Sequence, residues 1–313
     1  MDYIRGINFA PFPRRGVLGA ASARASLEKL LETTAANHII LTPSGIQETP
    51  QSETIDFRGE GSPEDGELRG IIAFAQSLGL KVILKPTVNC RNGVWRAFIN
   101  FFDHEAPCEP QWGPWFASHG RFQLHYARLA EETGCVMFIA GCEMVMAERR
   151  EPEWRELIRQ LRGVFSGPLS YNADKYQEDA LGWWDCVDII ASSGYYPWGS
   201  WETELDRIER LVKRFAKPFF FAETGCMSVA GASKLPNDWK LAGESAPEEQ
   251  ARWYADMFAR TASRPWVEGF GLWSWPAVLP GDPLQDRGYS IYGKPAAETV
   301  RSAFLESHPS RPL

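Results

Sequence analysis

The sequence predicts a single (β/α)8 barrel, an α/β fold of the TIM type. Three observations carry this reading. Short apolar stretches alternate with stretches of helical period eight times along 313 residues. The first strand runs into Asn8-Phe9-Ala10-Pro11-Phe12-Pro13, where a doubly wound open sheet usually places a Gly-rich phosphate loop. The long loops follow strands rather than helices and collect polar and aromatic residues, as the βα loops of a barrel do. A chain of this length is ordinary for one barrel and can bury a large core without disulfide or metal.

The elements follow in order. Ile4 to Phe9 is the first strand, and Ser22 to Asn37 is a helix with Leu27, Leu30 and Leu31 at helical spacing. His38 to Thr42 is the second strand, followed by a polar loop. Ser62-Pro63-Glu64-Asp65 caps a helix that stops at Gly79. Lys81 to Lys85 is the third strand, with a long loop from Pro86 to Gly113 and a helix from Pro114 to Thr133. The fourth strand, Cys135 to Glu143, precedes a helix from Glu151 to Phe165; the fifth, Pro168 to Tyr171, precedes a short helical stretch from Asp174. The sixth, Val187 to Ser192, leads to Gly194-Tyr195-Tyr196-Pro197-Trp198 and a helix from Glu202 to Phe215. The seventh, Phe219 to Glu223, is separated by a long loop from the helix Pro247 to Ala262. The eighth, Val267 to Trp273, and a last helix from Pro295 to Leu305 complete the barrel, which takes residues 1–306; residues 307–313 read as a frayed tail.

Composition narrows the function. A net charge of -7 is a poor match for nucleic acid or an anionic membrane surface, and no run is long and apolar enough to span a bilayer. The start, Met1-Asp2-Tyr3-Ile4-Arg5-Gly6, enters a strand without a visible signal peptide, so a cytoplasmic location is expected. The six cysteines lack paired or metal-site spacing and read as free thiols. His104, His119 and His125 form no ligand triad and read as packed or solvated residues, so no metal is called for. Thirteen tryptophans are many, and Trp112, Trp115, Trp198, Trp201, Trp273 and Trp275 follow strands in Pro/Gly-rich stretches. Indole faces there suit the C–H faces of sugar rings, while loop anchoring is the plainer alternative.

Two strands deliver a carboxylate at the same end. Phe219-Phe220-Phe221-Ala222 runs into Glu223, and Val136-Met137-Phe138-Ile139-Ala140-Gly141-Cys142 runs into Glu143. In a barrel both ends open on one face. Two carboxyls about 5–5.5 Å apart are the catalytic pair of a retaining glycosidase. Glu143 is assigned as acid/base and Glu223 as nucleophile; Tyr195 or Tyr196 is placed to donate to Glu223. No cofactor is required.

The chain resembles the clan A glycoside hydrolases and, more narrowly, glycoside hydrolase family 113, the β-mannanases. The matching stretches are Leu84-Lys85-Pro86-Thr87-Val88 with Gly93-Val94-Trp95-Arg96, Gly141-Cys142-Glu143, Gly194-Tyr195-Tyr196-Pro197, Ala222-Glu223-Thr224-Gly225, and Gly288-Tyr289-Ser290 with Gly293-Lys294-Pro295-Ala296. The resemblance implies catalytic Glu at the ends of strands four and seven. It also implies retaining hydrolysis of β-1,4-mannosidic bonds in mannan or manno-oligosaccharides. Clan A enzymes mostly carry Asn before the acid/base, in contact with the sugar's 2-OH. Here that residue is Cys142, a weaker donor, which is compatible with the axial 2-OH of mannose.

Trp273 is expected to floor the reactive subsite, and Lys85, Asn89, Trp95 and Asn172 to bind sugar hydroxyls. Asp188 and Glu268 lie near strand starts and read as structural. A β-linked oligosaccharide or polysaccharide is the expected partner. Two alternatives stay open: a clan A enzyme of other specificity, exo-acting or transglycosylating, and a barrel that binds carbohydrate without cleaving it. The loops Pro86–Gly113 and Thr224–Ala246 are long enough to close one end of a cleft.

Overall fold

Eight parallel strands close on themselves in the computed structural model, which describes residues 2–306. In chain order the elements are β1 (Ile4–Phe9), α1 (Ala21–Thr34), β2 (His38–Leu41), β3 (Ser44–Gln47), α2 (Asp65–Ser77), β4 (Lys81–Leu84), β5 (Thr87–Cys90), α3 (Trp112–Glu132), β6 (Met137–Cys142), α4 (Glu151–Arg162), β7 (Leu169–Ala173), β8 (Ile189–Ser193), α5 (Trp201–Phe215), β9 (Phe219–Thr224), α6 (Pro247–Thr261), β10 (Val267–Trp275) and α7 (Pro295–Glu306). The barrel order is β1-β10-β9-β8-β7-β6-β4-β2. The eight-strand expectation holds, and the fourth and seventh barrel strands are β6 and β9. The expected tail, 307–313, lies outside the described residues.

Side chains fill the barrel in an apolar plug of Ile4, Ile40, Ile83, Met137, Ile139, Ile189, Ala191, Phe220 and Ala222. These residues alternate with outward-facing ones that meet the helices, so each strand is buried on both faces and reads as an apolar run. Helices dock by amphipathic stripes. In α5 the inward positions are Trp201, Leu205, Ile208 and Leu211, and the last turn carries Lys213 and Arg214 against the helix dipole.

The structure departs from the sequence reading, or refines it, in several places. The loops after the second and third barrel strands contain β3 and β5, which pair in parallel from Ser44↔Thr87 to Gln47↔Cys90. At four residues each, inside polar loops, they fall below what periodicity resolves. Within the stretch expected to cap α2 the cap is Glu64, whose backbone N–H donates to Glu67 Oε2 at 2.8 Å, while Ser62 Oγ donates to the Ser44 carbonyl. The stretch from Asp174 forms two 3-10 turns, Glu178–Ala180 and Trp184–Cys186, rather than an α-helix. α1 ends at Thr34 because Ala35 turns left-handed, φ 55°.

Packing also reassigns most of the loop tryptophans. Trp112, Trp115, Trp201 and Trp275 are buried scaffold. Trp115 Nε1 donates to Gln47 Oε1 at 3.0 Å and Trp275 Nε1 to Ser26 Oγ at 2.9 Å. Trp198 is exposed away from the cleft. All six cysteines are free. Asp188 accepts from the Leu169 N–H at 2.8 Å and pairs with Arg162, tying the start of β7 to α4. Among the described residues no helix is long and apolar enough to cross a membrane.

His119 on α3 is fully buried, stacked on Trp115 with centroids 4.8 Å apart. Burial pushes its pKa down to about 3. The unfolded chain would take that proton near the ordinary value of about 6.5. Stability from the neutral ring is therefore present above about pH 6.5 and is lost as pH falls toward about 3. We expect the Tm of His119→Leu to fall less steeply than that of the wild type between about pH 6.5 and 4, followed by circular dichroism; parallel curves would refute this assignment.

Candidate active site

The strand register sets the site. β6 pairs Cys142 with Asn172 of β7, β8 pairs Ser193 with Glu223 of β9, and Lys85 follows β4 directly. All of these lie at the carboxyl ends of the strands, the end at which a cavity of about 640 Å³ opens. Glu143 and Glu223 both line it. One carboxylate oxygen of each lies within 4.8 Å of the other, with Cys142 Sγ inside the same distance. That span fits the retaining class and falls short of the roughly 6.5–9.5 Å that an inverting pair needs for water.

Local backbone geometry aims both groups. Gly141 has φ 153°, and a Cβ there would come within 3.0 Å of the Tyr171 ring and 3.1 Å of Trp154. Glu143 itself is left-handed, φ 51°, held by its N–H donating to the Asn172 carbonyl at 2.8 Å. After Glu223, a Cβ on Gly225 would sit 2.3 Å from the Trp273 carbonyl, so only glycine lets β9 leave so close to β10.

The two carboxylates have different partners. Glu223 pairs with Lys85, accepts from Cys142 Sγ at 3.2 Å, and accepts from Tyr195 Oη at 3.1 Å. Burial raises the pKa of Glu223, but the charges of Lys85 and Arg96 and the hydrogen bonds from Lys85 and Cys142 outweigh it, and the net shift is downward. Burial and the Glu223 charge push the Cys142 thiol well up, and burial likewise raises Tyr195, so both keep their protons and donate. Glu143 Oε2 accepts from Arg96 Nη1 at 3.0 Å and Trp95 Nε1 at 3.2 Å; its Oε1 accepts from Ser193 Oγ at 2.6 Å.

The remaining expected residues divide. Trp273 lines the cavity beside Phe12, with centroids 5.4 Å apart. Asn89 lines it too, accepting from Arg96 Nη2 at 3.0 Å. Trp95 lines it and meets Trp239 edge to face at 6.3 Å, joining the loops after β5 and β9. Lys85 and Asn172 do not line the cavity and are fully buried beneath it, which corrects their expected role at sugar hydroxyls. Asn172 accepts from Lys85 Nζ at 3.4 Å and donates to Ser193 Oγ at 3.0 Å, so both act through the carboxylates. Tyr196 is a second correction. Its hydroxyl turns outward to Glu178 Oε1 at 3.2 Å, because side chains alternate across the strand exit. Arg96, Ser193, Asp174 and Trp239 were not anticipated as site residues. Arg96 stands inside the quoted Gly93-Val94-Trp95-Arg96 stretch, the one signal that could have found it.

Comparison with known proteins decides the family. The description of glycoside hydrolase family 113 matches residues 7–294. The chain belongs to glycoside hydrolase family 113. Among solved structures, a GH113 β-1,4-mannanase in a complex is 48% identical with a TM-score of 0.97, covering 98% of this chain and 100% of that one. The GH113 β-mannanase AaManA from Alicyclobacillus acidocaldarius, in complex with ManMIm, is 39% identical with a TM-score of 0.94, covering 97% of this chain and 98% of its own. A β-glucuronidase from Ruminococcus gnavus, 16% identical with a TM-score of 0.65, covers 97% of this chain and 49% of its own and shares the fold. No curated protein matches. Within this GH113 chain, Lys294 of the Gly293-Lys294-Pro295-Ala296 stretch ties to Asp286 at 3.0 Å, bracing the loop that carries Tyr289 to the cavity.

Lys85 should matter to activity through Glu223. Lys85→Met removes a cation from beneath the carboxylate, so the Glu223 pKa should rise. The acid limb of the kcat/KM profile should then move to higher pH, with about a 100-fold or greater loss at the optimum. An unmoved limb would show that Lys85 does not hold Glu223 ionised.

Proposed function

We propose that this chain is a retaining glycoside hydrolase that cleaves β-1,4-mannosidic bonds in mannan or manno-oligosaccharides. The observation that carries the reading is the pair of carboxylates within 4.8 Å, at the lips of the fourth and seventh barrel strands. Glu223 attacks the anomeric carbon. Glu143 gives its proton to the glycosidic oxygen as that bond breaks. Glu143 then takes a proton from water, whose oxygen attacks the same carbon and frees Glu223.

The environments suit these roles. Lys85, Cys142 and Tyr195 hold Glu223 ionised and fix its oxygens. Trp95, Arg96 and Ser193 fix the orientation of Glu143. Trp273 offers an indole face beside the pair, and Lys85 Nζ lies 5.6 Å from its ring centroid. The family and the two mannanases at 48% and 39% identity support the mannan assignment. Cys142 in the place of the usual clan A Asn is compatible with an axial 2-OH.

Three measurements test the proposal. Glu223→Ala should lose about four orders of magnitude or more in kcat on manno-oligosaccharides while still binding them; turnover equal to wild type would remove the nucleophile. The first-formed reducing end, followed by proton NMR, should be the β-anomer; the α-anomer would make the enzyme inverting. Mannotriose should be cleaved in preference to cellotriose and xylotriose, and the opposite ranking would defeat the sugar assignment.

A further inference from the structure

Side chains stop alternating at the end of β9. Phe220 and Ala222 belong to the barrel plug, while Phe221 faces the helices, its ring 5.4 Å from that of Trp201. Strict alternation would send the next side chain, Glu223, outward as well. Instead Glu223 lines the cavity, and Thr224 turns out to Met257 Sδ at 3.4 Å. Two consecutive residues therefore face inward, and the register shows how. Against β10, Phe221 pairs with Phe270 and Thr224 with Leu272, so Ala222 and Glu223 together oppose Gly271. Against β8, Phe221 pairs with Ser192 and Glu223 with Ser193, and Ala222 is passed over. Ala222 is thus the extra residue of a β-bulge on both sides, a device that re-aims a side chain next to an active site.

A side chain from a third strand holds that bulge. Asn8 of β1 is fully buried, on the inward face with Ile4. Its Nδ2 donates to the Ala222 carbonyl and to the Gly271 carbonyl, both at 3.0 Å. To reach β9 the amide crosses β10 at Gly271, where a Cβ would come within 2.5 Å of the same Ala222 oxygen. Both partners are acceptors, so the amide can face them only through its nitrogen. Its Oδ1 is left buried, with no hydrogen-bond partner among the described residues. A lone buried acceptor is unfavourable, and Val, Ile or Leu ordinarily fill such a layer. The two bonds from Nδ2 offset that cost.

We infer that Asn8 is a positioning residue for the nucleophile: its amide fastens the bulge at Ala222 and so turns Glu223 from the helices into the cleft. This rests on the nucleophile reading of Glu223. Asn8 does not line the cavity. Lys85, Cys142 and Tyr195 fix the carboxylate once it faces the cleft; Asn8 sets the backbone from which it springs.

The test measures kcat and KM on manno-oligosaccharides for wild type and Asn8→Leu, with thermal melts to establish folding. A misplacement of about 1 Å can cost about 100-fold, so kcat should fall by about that factor while KM stays within about threefold. Asn8→Ala supplies a second variant should leucine misfold. The decisive comparison removes the nucleophile. In Glu223→Ala, added azide can bond to the anomeric carbon of a dinitrophenyl β-mannoside as dinitrophenolate leaves, and azide finds its own position. Adding Asn8→Leu to Glu223→Ala should therefore change the azide-rescued rate by about threefold or less, because Asn8 acts only through Glu223. Wild-type kcat in a folded Asn8 variant overturns the inference. So does a rescued rate that falls about 100-fold in the double variant, which would mean general damage to the cleft. Glu223→Ala alone separates the two readings. Absence of azide rescue removes the nucleophile, and the inference with it; rescue alongside an unchanged Asn8→Leu kcat removes the role of Asn8 alone.

Discussion

Two carboxylates buried within 4.8 Å of each other repel and lose solvation, and the rest of the site is built around that cost. Lys85 rises from the end of β4 to meet Glu223, and Arg96 reaches in from the loop after β5 to meet Glu143. Each cation is buried with its partner, so neither pair is screened by water. The surrounding neutral donors divide the same way. Cys142 and Tyr195 serve the anion of Glu223; Ser193, itself held by Asn172, orients Glu143. A barrel supplies such an arrangement readily, because separate strands deliver one group each to a common rim.

Much of this was legible in the sequence. The barrel strands are apolar runs because both faces are buried, so their number and order could be read directly. Glu143 and Glu223 stood out because each interrupts such a run at its end. What escaped detection has physical reasons. β3 and β5 are stabilised by pairing with each other across forty residues, and a four-residue strand leaves no period. Arg96 looks like a solvated loop residue until its three contacts, with Val88, Asn89 and Glu143, are seen. Tyr195 and Tyr196 are adjacent, so one faces the cleft and its neighbour the helices; the choice depends on the register of β8 against β9. Lys85 and Asn172 were located at the correct end of the barrel, but depth below the rim is not encoded in strand position. Most of the loop tryptophans proved to be scaffold because their rings pack into the core, and Trp115 and Trp275 also find buried acceptors for their indole N–H groups, which no spacing reveals.

The family assignment and the site geometry are independent lines that meet. Family membership follows from the match over residues 7–294 and from relatives at 48% and 39% identity. The site follows from hydrogen-bond partners and strand register. Neither depends on the other: the match spans the barrel, and the hydrogen bonds and register bring Glu143 and Glu223 together at the ends of β6 and β9.

The β3–β5 ribbon has an evolutionary implication. It lies outside the barrel sheet, yet Asn89 of β5, and Trp95 and Arg96 in the segment leaving it, line the cleft. The wall of the cleft therefore has its own small frame, fastened by four paired residues on each strand. A chain can remodel that wall, lengthening or exchanging its tip, without disturbing the register that aims the two glutamates. Because Trp95 and Arg96 on that wall also hold Glu143, the ribbon couples the shape of the cleft to the orientation of one of its two carboxylates.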